Sequence, residues 1–504
     1  MSSILPSSIV GNHEAKSNWV KSNRIAAVLA SSLLIAGCSN GQNDYRAKVS
    51  NTLVFEGAIA SPEAAATMIG RSILAQGGNA IDAATATALA LSVTMPAAAG
   101  LAGGGQCMVV QATEASEFFD FRASPGASQG QVQQRPAVTV PMLARGLSAL
   151  HARYGTLPWP VVIAPGERMA RFGFRLSTAS ADHWNQILAQ TDDKRLHGFV
   201  GGLVLHSYDG AGHDGAGMFT PGMVLHNPAL ASQLGQIRAH GGNFFIRSAA
   251  IRFLVQSYLD AGLMLNSDMV RTSLPDRRPA STTAFGDDLV HVPDDSPGSE
   301  AMIEAARFLG QQGTSWDKVL FDPVWQRKWL ASLPQSMATA IRHDGVNLAA
   351  IDSNGLGVIC WLTNGRPPWV AVPNLGFIAG QAGQNAEQAN AIMIALTNQN
   401  SGKSLWLAGG RGSVIDRLVL AGMLEGASRR VSGLHSRMAV KRRFINPLGE
   451  GLAFDEQADP RLRLGDITSI WCLNGVPFNA ITALCQSDVD PRSQGLALSF
   501  EKPI

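Results

Sequence analysis

Charge is scarce in this 504-residue sequence, because Asp, Glu, Lys and Arg together make up only 15% of it and the formal net charge is +2. So small a positive excess predicts no polyanionic partner and argues against nucleic-acid binding. The five cysteines include no Cys-x-x-Cys pair, so the spacing typical of a zinc or dithiol site is missing. We therefore expect no metal, no other cofactor and no nucleic acid among the ligands.

The apolar run Ile25–Ile35 near the N-terminus is too short to span a bilayer, which takes about 20 residues. It follows Lys16, Lys21 and Arg24 and ends in the string IAGC at Cys38, an order typical of an export signal. The string resembles a bacterial lipoprotein cleavage box, in which Cys38 would carry the lipid. An ordinary secretory signal with an incidental cysteine is the alternative.

The lipoprotein interpretation divides the N-terminal region into a signal peptide, residues 1–37, and a tether, residues 38–53. Several acyl chains on Cys38 would hold the protein stably on a membrane, whereas one chain gives only marginal anchoring. We therefore expect a lipid-anchored protein on the periplasmic side of the bacterial cell envelope. Ser39, where other such proteins carry Asp, indicates the outer membrane.

The rest of the chain has the composition of a large packed domain. Apolar residues make up 46% of the sequence, and 52 glycines with abundant alanine favour closely packed layers. In the first helical region, Ser61-Pro62 predicts a helix start and Gly77-Gly78 its end. Asn79 is placed to cap a second helix, which Pro96 ends.

Strand patterns follow these helices and return late in the chain. Cys107–Val110 and Ser116–Arg122 predict a hairpin, and the order helix, turn, strand excludes a dinucleotide-binding motif. Asn347–Asp352 and Leu356–Trp361 predict a second hairpin. A further strand is predicted at Ser404–Ala408, followed by a helix from about Val414 to Leu424.

The stretch from Glu56 to Arg122 reads EGAIASPEAAATMIGRSILAQGGNAIDAATATALALSVTMPAAAGLAGGGQCMVV and then EFFDFR. It resembles the opening of the gamma-glutamyltranspeptidase family, and the resemblance covers most of residues 54–177 and 345–498. It implies an α/β (α+β) fold, the four-layer αββα sandwich of N-terminal-nucleophile hydrolases. Residues 54–340 would form the large-subunit-like half, and residues 341–504 the small-subunit-like half, of one domain.

The resemblance also implies a nucleophile position. Members of the family cut themselves before a threonine, which then attacks a gamma-glutamyl amide. Aligned on Ile351-Asp352 and Gly355, that threonine falls on Gly345 and a family histidine falls on Asn347. Glycine has no hydroxyl, so it can neither cleave the precursor nor form an acyl-enzyme, and losing a nucleophile costs on the order of 10⁶ in rate.

A displaced nucleophile is the alternative at this position. Thr339 and Ser336 lie just upstream of Gly345. Using Thr339 would require about six extra residues in the first strand. Strand register tolerates such shifts poorly, because a slip of one residue turns every side chain to the other face.

Arg122 is the candidate ligand-binding residue. In the family, the Arg of an F-D-F-R-E segment holds the substrate carboxylate, and a guanidinium suits that role because two donors meet two oxygens. This chain has FDFR followed by Ala123 instead of Glu. A structural Arg that pairs with a nearby acid is the alternative.

Two other family segments are altered. The segment that holds the substrate amine should follow Ile378, where the chain reads Ala379-Gly380-Gln381 without a carboxylate. The oxyanion loop is partly retained as Gly409, Gly410 and Gly412, whose backbone N–H groups would form an anion pocket. A buried turn packed against a helix explains the same glycines.

Four cysteines remain in the exported part. Cys472 and Cys485 flank a turn that contains Gly475, and we expect them to be bridged, with a contribution of about 3 kcal/mol. Cys107 and Cys360 lie in apolar strands, which predicts two buried, inert thiols.

Three polar segments carry weaker signals. Residues 206–217 mix His and Asp with glycine, which fits either a metal site or a free loop. Asp287, Asp288, Asp294 and Asp295 predict a solvated loop. Arg429–Arg443 predicts a solvated helix or, alternatively, the basic face of a scaffold at the membrane surface.

The sequence thus predicts an unprocessed, catalytically inactive relative of gamma-glutamyltranspeptidase. It would bind a small gamma-glutamyl or amino-acid-like ligand, or a protein partner that the sequence does not identify, in the former catalytic cleft. The alternative is an active gamma-glutamyl hydrolase, transferase or acylase of glutathione metabolism that uses a displaced Thr or Ser. Chain integrity separates the two, because a processed enzyme consists of two polypeptides.

Overall fold

A computed structural model describes residues 53–111, 114–122, 138–189, 191–206, 219–294, 296–311, 345–382, 391–410, 414–431, 444–445, 451–452, 467–476 and 483–503. The predicted signal peptide, Cys38 and most of the tether lie outside the described residues. So do Ser336, Thr339, Gly412 and all but the first residue of the segment 206–217. No helix in the described ranges is long and apolar enough to cross a membrane.

The strands are β1 (Leu53–Ser61), β2 (Gly104–Val110), β3 (Glu117–Phe121), β4 (Phe174–Arg175), β5 (Val204–His206), β6 (Val224–Leu225), β7 (Asp276–Pro279), β8 (Ser281–Phe285), β9 (Asp288–Val292), β10 (Gly345–Asp352), β11 (Gly357–Thr363), β12 (Arg366–Val372), β13 (Phe377–Gln381), β14 (Ile392–Asn398), β15 (Ser404–Gly410), β16 (Phe444–Ile445), β17 (Gly451–Leu452), β18 (Thr468–Val476), β19 (Cys485–Val489) and β20 (Leu496–Pro503).

The helices are α1 (Ala64–Ala75), α2 (Ala80–Thr94), α3 (Pro96–Ala99), α4 (Leu143–Tyr154), α5 (Trp159–Phe172), α6 (Thr178–Ala189), α7 (Lys194–Gly201), α8 (Pro228–His240), α9 (Ser248–Asp260), α10 (Ser267–Thr272), α11 (Pro297–Gln311) and α12 (Val414–Ser428).

Two large sheets organise the domain. The first has the strand order β20-β1-β10-β11-β2-β3-β7, and every neighbouring pair from β1 to β7 is antiparallel. The second has the order β19-β18-β15-β14-β9-β8 and is antiparallel throughout. Smaller sheets pair β12 with β13, β16 with β17, and β4 with β6 and β5.

Successive side chains of each strand point to opposite faces of its sheet, and this creates three apolar layers, one between the two sheets and one between each sheet and its helices. In β10, Val346 and Leu348 belong to the core beneath α1 and α2, whereas Ala349 and Ile351 belong to the core between the sheets. The other sheet repeats the pattern, because residues of β14 and β15 pack alternately on the first sheet and on α11 and α12. Both sheets are therefore covered on both faces, and the predicted four-layer αββα sandwich is confirmed.

Helix α2 fits between the first sheet and the outer helices because its side chains are small, and all 15 of its residues are buried. Asn79 caps it, as predicted, in a capping box with Asp82. Burial would raise the pKa of Asp82, but hydrogen bonds from His151, Thr156 and the backbone outweigh it and hold the pKa below its usual value. The main-chain N–H of Ala80 donates to Asp352 at 3.1 Å, which joins this helix end to β10.

The helix α1 begins later than the sequence predicts. Ser61 is the last residue of β1, and the helix cap is Glu63, whose carboxylate accepts from the main-chain N–H of Ala66 at 2.8 Å. Ser61 instead contacts the Thr67 hydroxyl at 2.7 Å. The predicted end is confirmed, since Gly77 adopts a φ of +84° just past the helix.

Two disulfides cross-link neighbouring strands. The predicted Cys472–Cys485 bond is present and joins β18 to β19. The prediction of two free thiols at Cys107 and Cys360 was wrong, because these residues face each other on β2 and β11 and form a second disulfide. Their apolar surroundings predicted burial correctly, but the bond depends on a pairing between residues 253 positions apart.

The prediction of a solvated acidic loop was wrong for Asp288. This residue begins β9, is fully buried, and receives two hydrogen bonds from Arg430, at 2.7 and 2.8 Å. Arg430 also donates to the Ala427 carbonyl at 2.9 Å, which caps the end of α12. A single Arg therefore satisfies a buried carboxylate and a helix terminus, and it lies in a turn rather than in the predicted solvated helix.

His291 lies on β9 and faces the layer between the sheets. Its Nδ1 lies 3.0 Å from the Ser116 hydroxyl, just before β3, and its Nε2 lies 2.8 Å from the Thr397 hydroxyl. Burial lowers the pKa of His291 to about 4, so the ring is neutral at pH 7. The neutral imidazole connects the two sheets through hydroxyl groups alone.

We predict that stability falls with acidification through His291. Unfolded histidine has a pKa near 6.5, so the unfolded chain binds the extra proton first and stability is lost as pH falls from about 6.5 to 4. The loss should reach about 3 kcal/mol. Urea unfolding of wild type and His291→Gln across this range should show a steeper loss of stability in wild type, since carboxylates such as Asp82 contribute equally to both, and the exposed control His240→Gln should behave as wild type. Parallel curves for wild type and His291→Gln would contradict this account.

Candidate active site

Gly345 is the first residue of β10 and lies opposite Thr363 on β11. Asn347 follows two residues later, opposite Trp361. Because Ala349 belongs to the core between the sheets, the alternation of the strand turns Gly345 and Asn347 toward that same layer. The position that the resemblance assigns to the nucleophile therefore lies at one end of the inner face of the first sheet.

The indole of Trp361 lies against Gly345. A Cβ built on Gly345 would be 2.5 Å from Trp361 Nε1 and 2.6 Å from the Leu362 carbonyl oxygen. Both distances are below the 3.0 Å that real Cβ atoms respect. Trp361 is fully buried in the layer between the sheets. A threonine at position 345 would therefore require both the indole and the β11 backbone to shift.

Asn347 and Trp361 carry polar side-chain atoms that are buried. Within the described residues, neither the side-chain amide of Asn347 nor the indole N–H of Trp361 makes a hydrogen bond. The Thr468 hydroxyl, from the second sheet, donates instead to the main-chain carbonyl of Asn347 at 3.4 Å. An amide cannot replace an imidazole as a proton carrier, so this pair offers hydrogen-bonding groups but no general base.

The glycines of the expected oxyanion loop occupy the opposite sheet. Gly409 and Gly410 are the last two residues of β15 and are paired with β14. A Cβ on Gly409 would lie 2.8 Å from Asn347 Oδ1 and 2.9 Å from Ile359 Cδ1, so a larger residue there would displace these two side chains of the first sheet. Packing thus accounts for Gly409, and the anion-pocket role stays a prediction.

Arg122 lies at the same end of the first sheet as Gly345. Strand register places Gly345, Thr363 and Gly104 side by side, and Gly105 opposite Phe121, so Arg122 continues that row. Three strand spacings separate Arg122 from Gly345, or roughly 14 Å. The sheet therefore brings both predicted site residues to one edge of the inner layer.

Arg122 is paired with an acid of its own strand. Its Nε lies 2.9 and 3.1 Å from the two carboxylate oxygens of Asp120, and its Nη2 contacts the same group. Two further side chains approach Asp120: Arg278, whose Nη2 lies 3.9 Å from it, and Gln106, whose Nε2 lies 3.5 Å from it. The Nε of Arg278 also lies 2.7 Å from the carboxylate of Asp294. The structural pairing considered for Arg122 is present, and it also fixes the orientation of the guanidinium.

Sequence reasoning missed three residues of this site: Trp361, Gln106 and Arg278. Trp361 and Gln106 lie within buried strands and carry no local signal beyond their pattern. Strand register is what places Asn347, Trp361, Gln106 and Asp120 in one row across the sheet. Such a row is visible only once β10, β11, β2 and β3 are paired.

The remaining candidates are placed apart from this edge or lie outside the described residues. Ala379-Gly380-Gln381 forms the end of β13, in a separate small sheet, and supplies no carboxylate. Thr339, Ser336 and Gly412 are outside the described ranges. Across those ranges, no group of three or more His, Cys, Asp or Glu side chains is arranged to hold a metal ion.

We predict that a side chain at position 345 destabilises the fold. Gly345→Ala and Gly345→Thr should each lower the free energy of unfolding by about 1–3 kcal/mol, because the Trp361 indole and the β11 backbone must move. Gly198→Ala is the control, since a Cβ on this helical glycine has no neighbour within 4 Å and should be neutral or slightly stabilising. Urea unfolding measures both, and an unchanged stability of Gly345→Thr would show that the indole leaves room for the nucleophile.

Comparison with known proteins yields both sequence relatives and structural neighbours. A family model described as Gamma-glutamyltranspeptidase matches residues 66–372. "Glutathione hydrolase 2" of Arabidopsis thaliana is 30% identical over 276 residues, which cover 52% of this chain and 45% of the relative. "Glutathione hydrolase proenzyme" of Escherichia coli (strain K12) is 27% identical over 274 residues, which cover 50% and 45%. The chain thus spans about half the length of the curated relatives it matches.

The structural comparison extends over more of the chain. The cephalosporin acylase from Bacillus halodurans superposes with a TM-score of 0.65 at 18% identity, covering 89% of this chain and 97% of that one. This likeness supports the layered fold alone, because the identity is low. Since the family model covers more than half of the sequence, this chain belongs to the gamma-glutamyltranspeptidase family.

Proposed function

We propose that this protein is a member of the gamma-glutamyltranspeptidase family that neither cleaves itself nor hydrolyses or transfers gamma-glutamyl groups. One observation carries the proposal: the Trp361 indole occupies the space that a side chain on Gly345 would need. A nucleophile at this strand end requires both a hydroxyl and room for it, and neither is provided at Gly345.

The neighbouring groups support the same conclusion. Asn347 takes the place of the family histidine and has no basic nitrogen. Gly409 packs on Asn347 within the joined sheets, so protein atoms of the second sheet lie against Asn347. Backbone donors elsewhere would at most recover a small part of the rate lost with the nucleophile.

Arg122 is the group to which the family resemblance assigns the carboxylate of a small ligand, and we keep this role for it. The side chain of Arg122 is about 10% exposed and is held by Asp120, so its orientation is fixed before a ligand arrives. Preorganised guanidinium groups bind carboxylates well because little side-chain entropy is lost. We infer a ligand with a free carboxylate, such as a gamma-glutamyl peptide or an amino acid, bound at this edge by a protein that is lipid-anchored in the cell envelope.

Mass spectrometry of the reduced protein tests the absence of self-cleavage. Reduction is necessary because the Cys107–Cys360 disulfide would otherwise hold the two halves together. We expect one polypeptide of the full mature length, and no release of chromophore from a gamma-glutamyl anilide above the heat-denatured sample. Two polypeptides, the smaller starting at Thr339 or Ser336, together with turnover, would show instead that a displaced nucleophile is active.

Binding of the proposed ligand is tested through Arg122. Arg122→Ala should weaken the binding of L-glutamate or glutathione, measured by calorimetry, by about 10- to 100-fold, the loss expected for charged hydrogen bonds. The control Arg175→Ala removes an exposed Arg on β4 and should leave the affinity unchanged. Thermal melting of both variants must stay close to wild type. Equal affinity of wild type and Arg122→Ala would limit Arg122 to its pairing with Asp120.

A further inference from the structure

A groove of about 480 Å³ opens between α1 and α5 on the outside of the helix layer. Both helices pack on α2, and they leave this space between their outer faces. Its walls include Met68 and Ile69 from α1, Gln76 just after that helix, and Val161, Pro165 and Arg168 from α5. The volume falls in the range of small-molecule sites, and the groove lies on the opposite face of the first sheet from Gly345.

The groove is largely apolar although it is open to solvent. Met68 is 46% exposed and Val161 is 38% exposed. On α5, Val161, Pro165, Arg168 and Phe172 follow one another at spacings of four, three and four residues, so they form a single stripe. Phe172, which is 70% exposed, extends this stripe beyond the groove. The stripe thus has exposed apolar residues at both ends, with half-buried Pro165 and exposed Arg168 between them, and exposed apolar surface of this kind favours a contact surface.

The charged side chains that α1 and α5 expose at the surface are positive. Helix α1 contains no acidic residue. The single acid of α5, Glu167, is buried and is held by Arg171 at 2.9 Å and Arg238 at 2.6 Å. Arg168, at the groove wall, has no acidic partner in the described ranges, and Arg71 instead lies over the ring of Phe500. The groove therefore combines exposed carbon with uncompensated positive charge.

We propose that the α1–α5 groove binds an anionic membrane lipid, with acyl carbon along Met68, Val161 and Phe172 and the headgroup phosphate at Arg168. This chemistry matches both features, because acyl carbon would cover the exposed apolar side chains and the phosphate would compensate the charge of Arg168. A nucleic acid would not bury the apolar side chains of the stripe. An uncharged peptide would offer no negative charge to pair with Arg168. The inference uses the outer helices only and is independent of the proposed function at Gly345.

A soluble short-chain lipid tests the proposal on the full chain. Cys38→Ser removes the expected lipidation site, and this protein is titrated by calorimetry with dihexanoyl phosphatidylglycerol below its micelle concentration. We expect saturable binding at least tenfold tighter than that of dihexanoyl phosphatidylcholine. Arg168→Glu should remove this preference, whereas Val161→Ser should weaken both lipids.

Matched controls separate the groove from general attraction to cationic protein. Arg252→Glu reverses an exposed charge on α9, far from the groove in sequence, and should leave both affinities unchanged. Equal affinities for the two lipids, no saturable binding, or the same loss in Arg252→Glu would each overturn the proposal. So would a dimer, seen by sedimentation, that Met68→Glu dissociates while lipid binding is absent, because the groove would then be an interface between two copies.

Discussion

The burial of β10 on both faces is the constraint on which the remaining structure depends. This strand pairs with β1 and β11. One of its faces packs against the helix layer, and the other packs in the layer between the two sheets. Its register cannot slip by one residue, because Leu348 would then point at the second sheet and Asn347 at α2. The same register fixes Gly345 at the end of the strand and sets Trp361 beside it. The apolar alternation of β10 does not depend on a hydroxyl at position 345, so the fold accommodates glycine at this strand end.

Elements with local signals could be predicted from the sequence. Asn79 and Asp82 specify a helix start within four residues, and the turn at Gly355 specifies the hairpin of β10 and β11. The bond between Cys472 and Cys485 spans 13 positions and so remained within reach of the same local reasoning. In these cases, the residues that determine the structure are neighbours in the chain, so no knowledge of the tertiary fold was needed.

Features that depend on distant pairing were not predictable in the same way. The contact of Trp361 with Gly345 requires the β10–β11 register and the rotamer of a buried indole. The sequence predicts Asp288 to lie in an acidic loop. Its actual partner, Arg430, is 142 positions later in the chain and contacts it only in the folded protein. At the candidate site, the resemblance supplied the positions of Gly345 and Arg122, whereas the side chains that surround them came from the sheet. Family membership therefore says more about the scaffold than about the groups left in the cleft.

The Cys107–Cys360 bond has a consequence for where this protein can mature. It closes a loop of about 250 residues through the centre of the first sheet, and a chain-entropy estimate for such a loop is about 5 kcal/mol. The second sheet carries its own bond at Cys472–Cys485, so each sheet has one covalent cross-link. In a reducing compartment, both cross-links would be missing and the chain would rely on packing alone. Protein folded under reducing conditions would accordingly share the sequence of protein folded under oxidising conditions and yet be a less stable molecule.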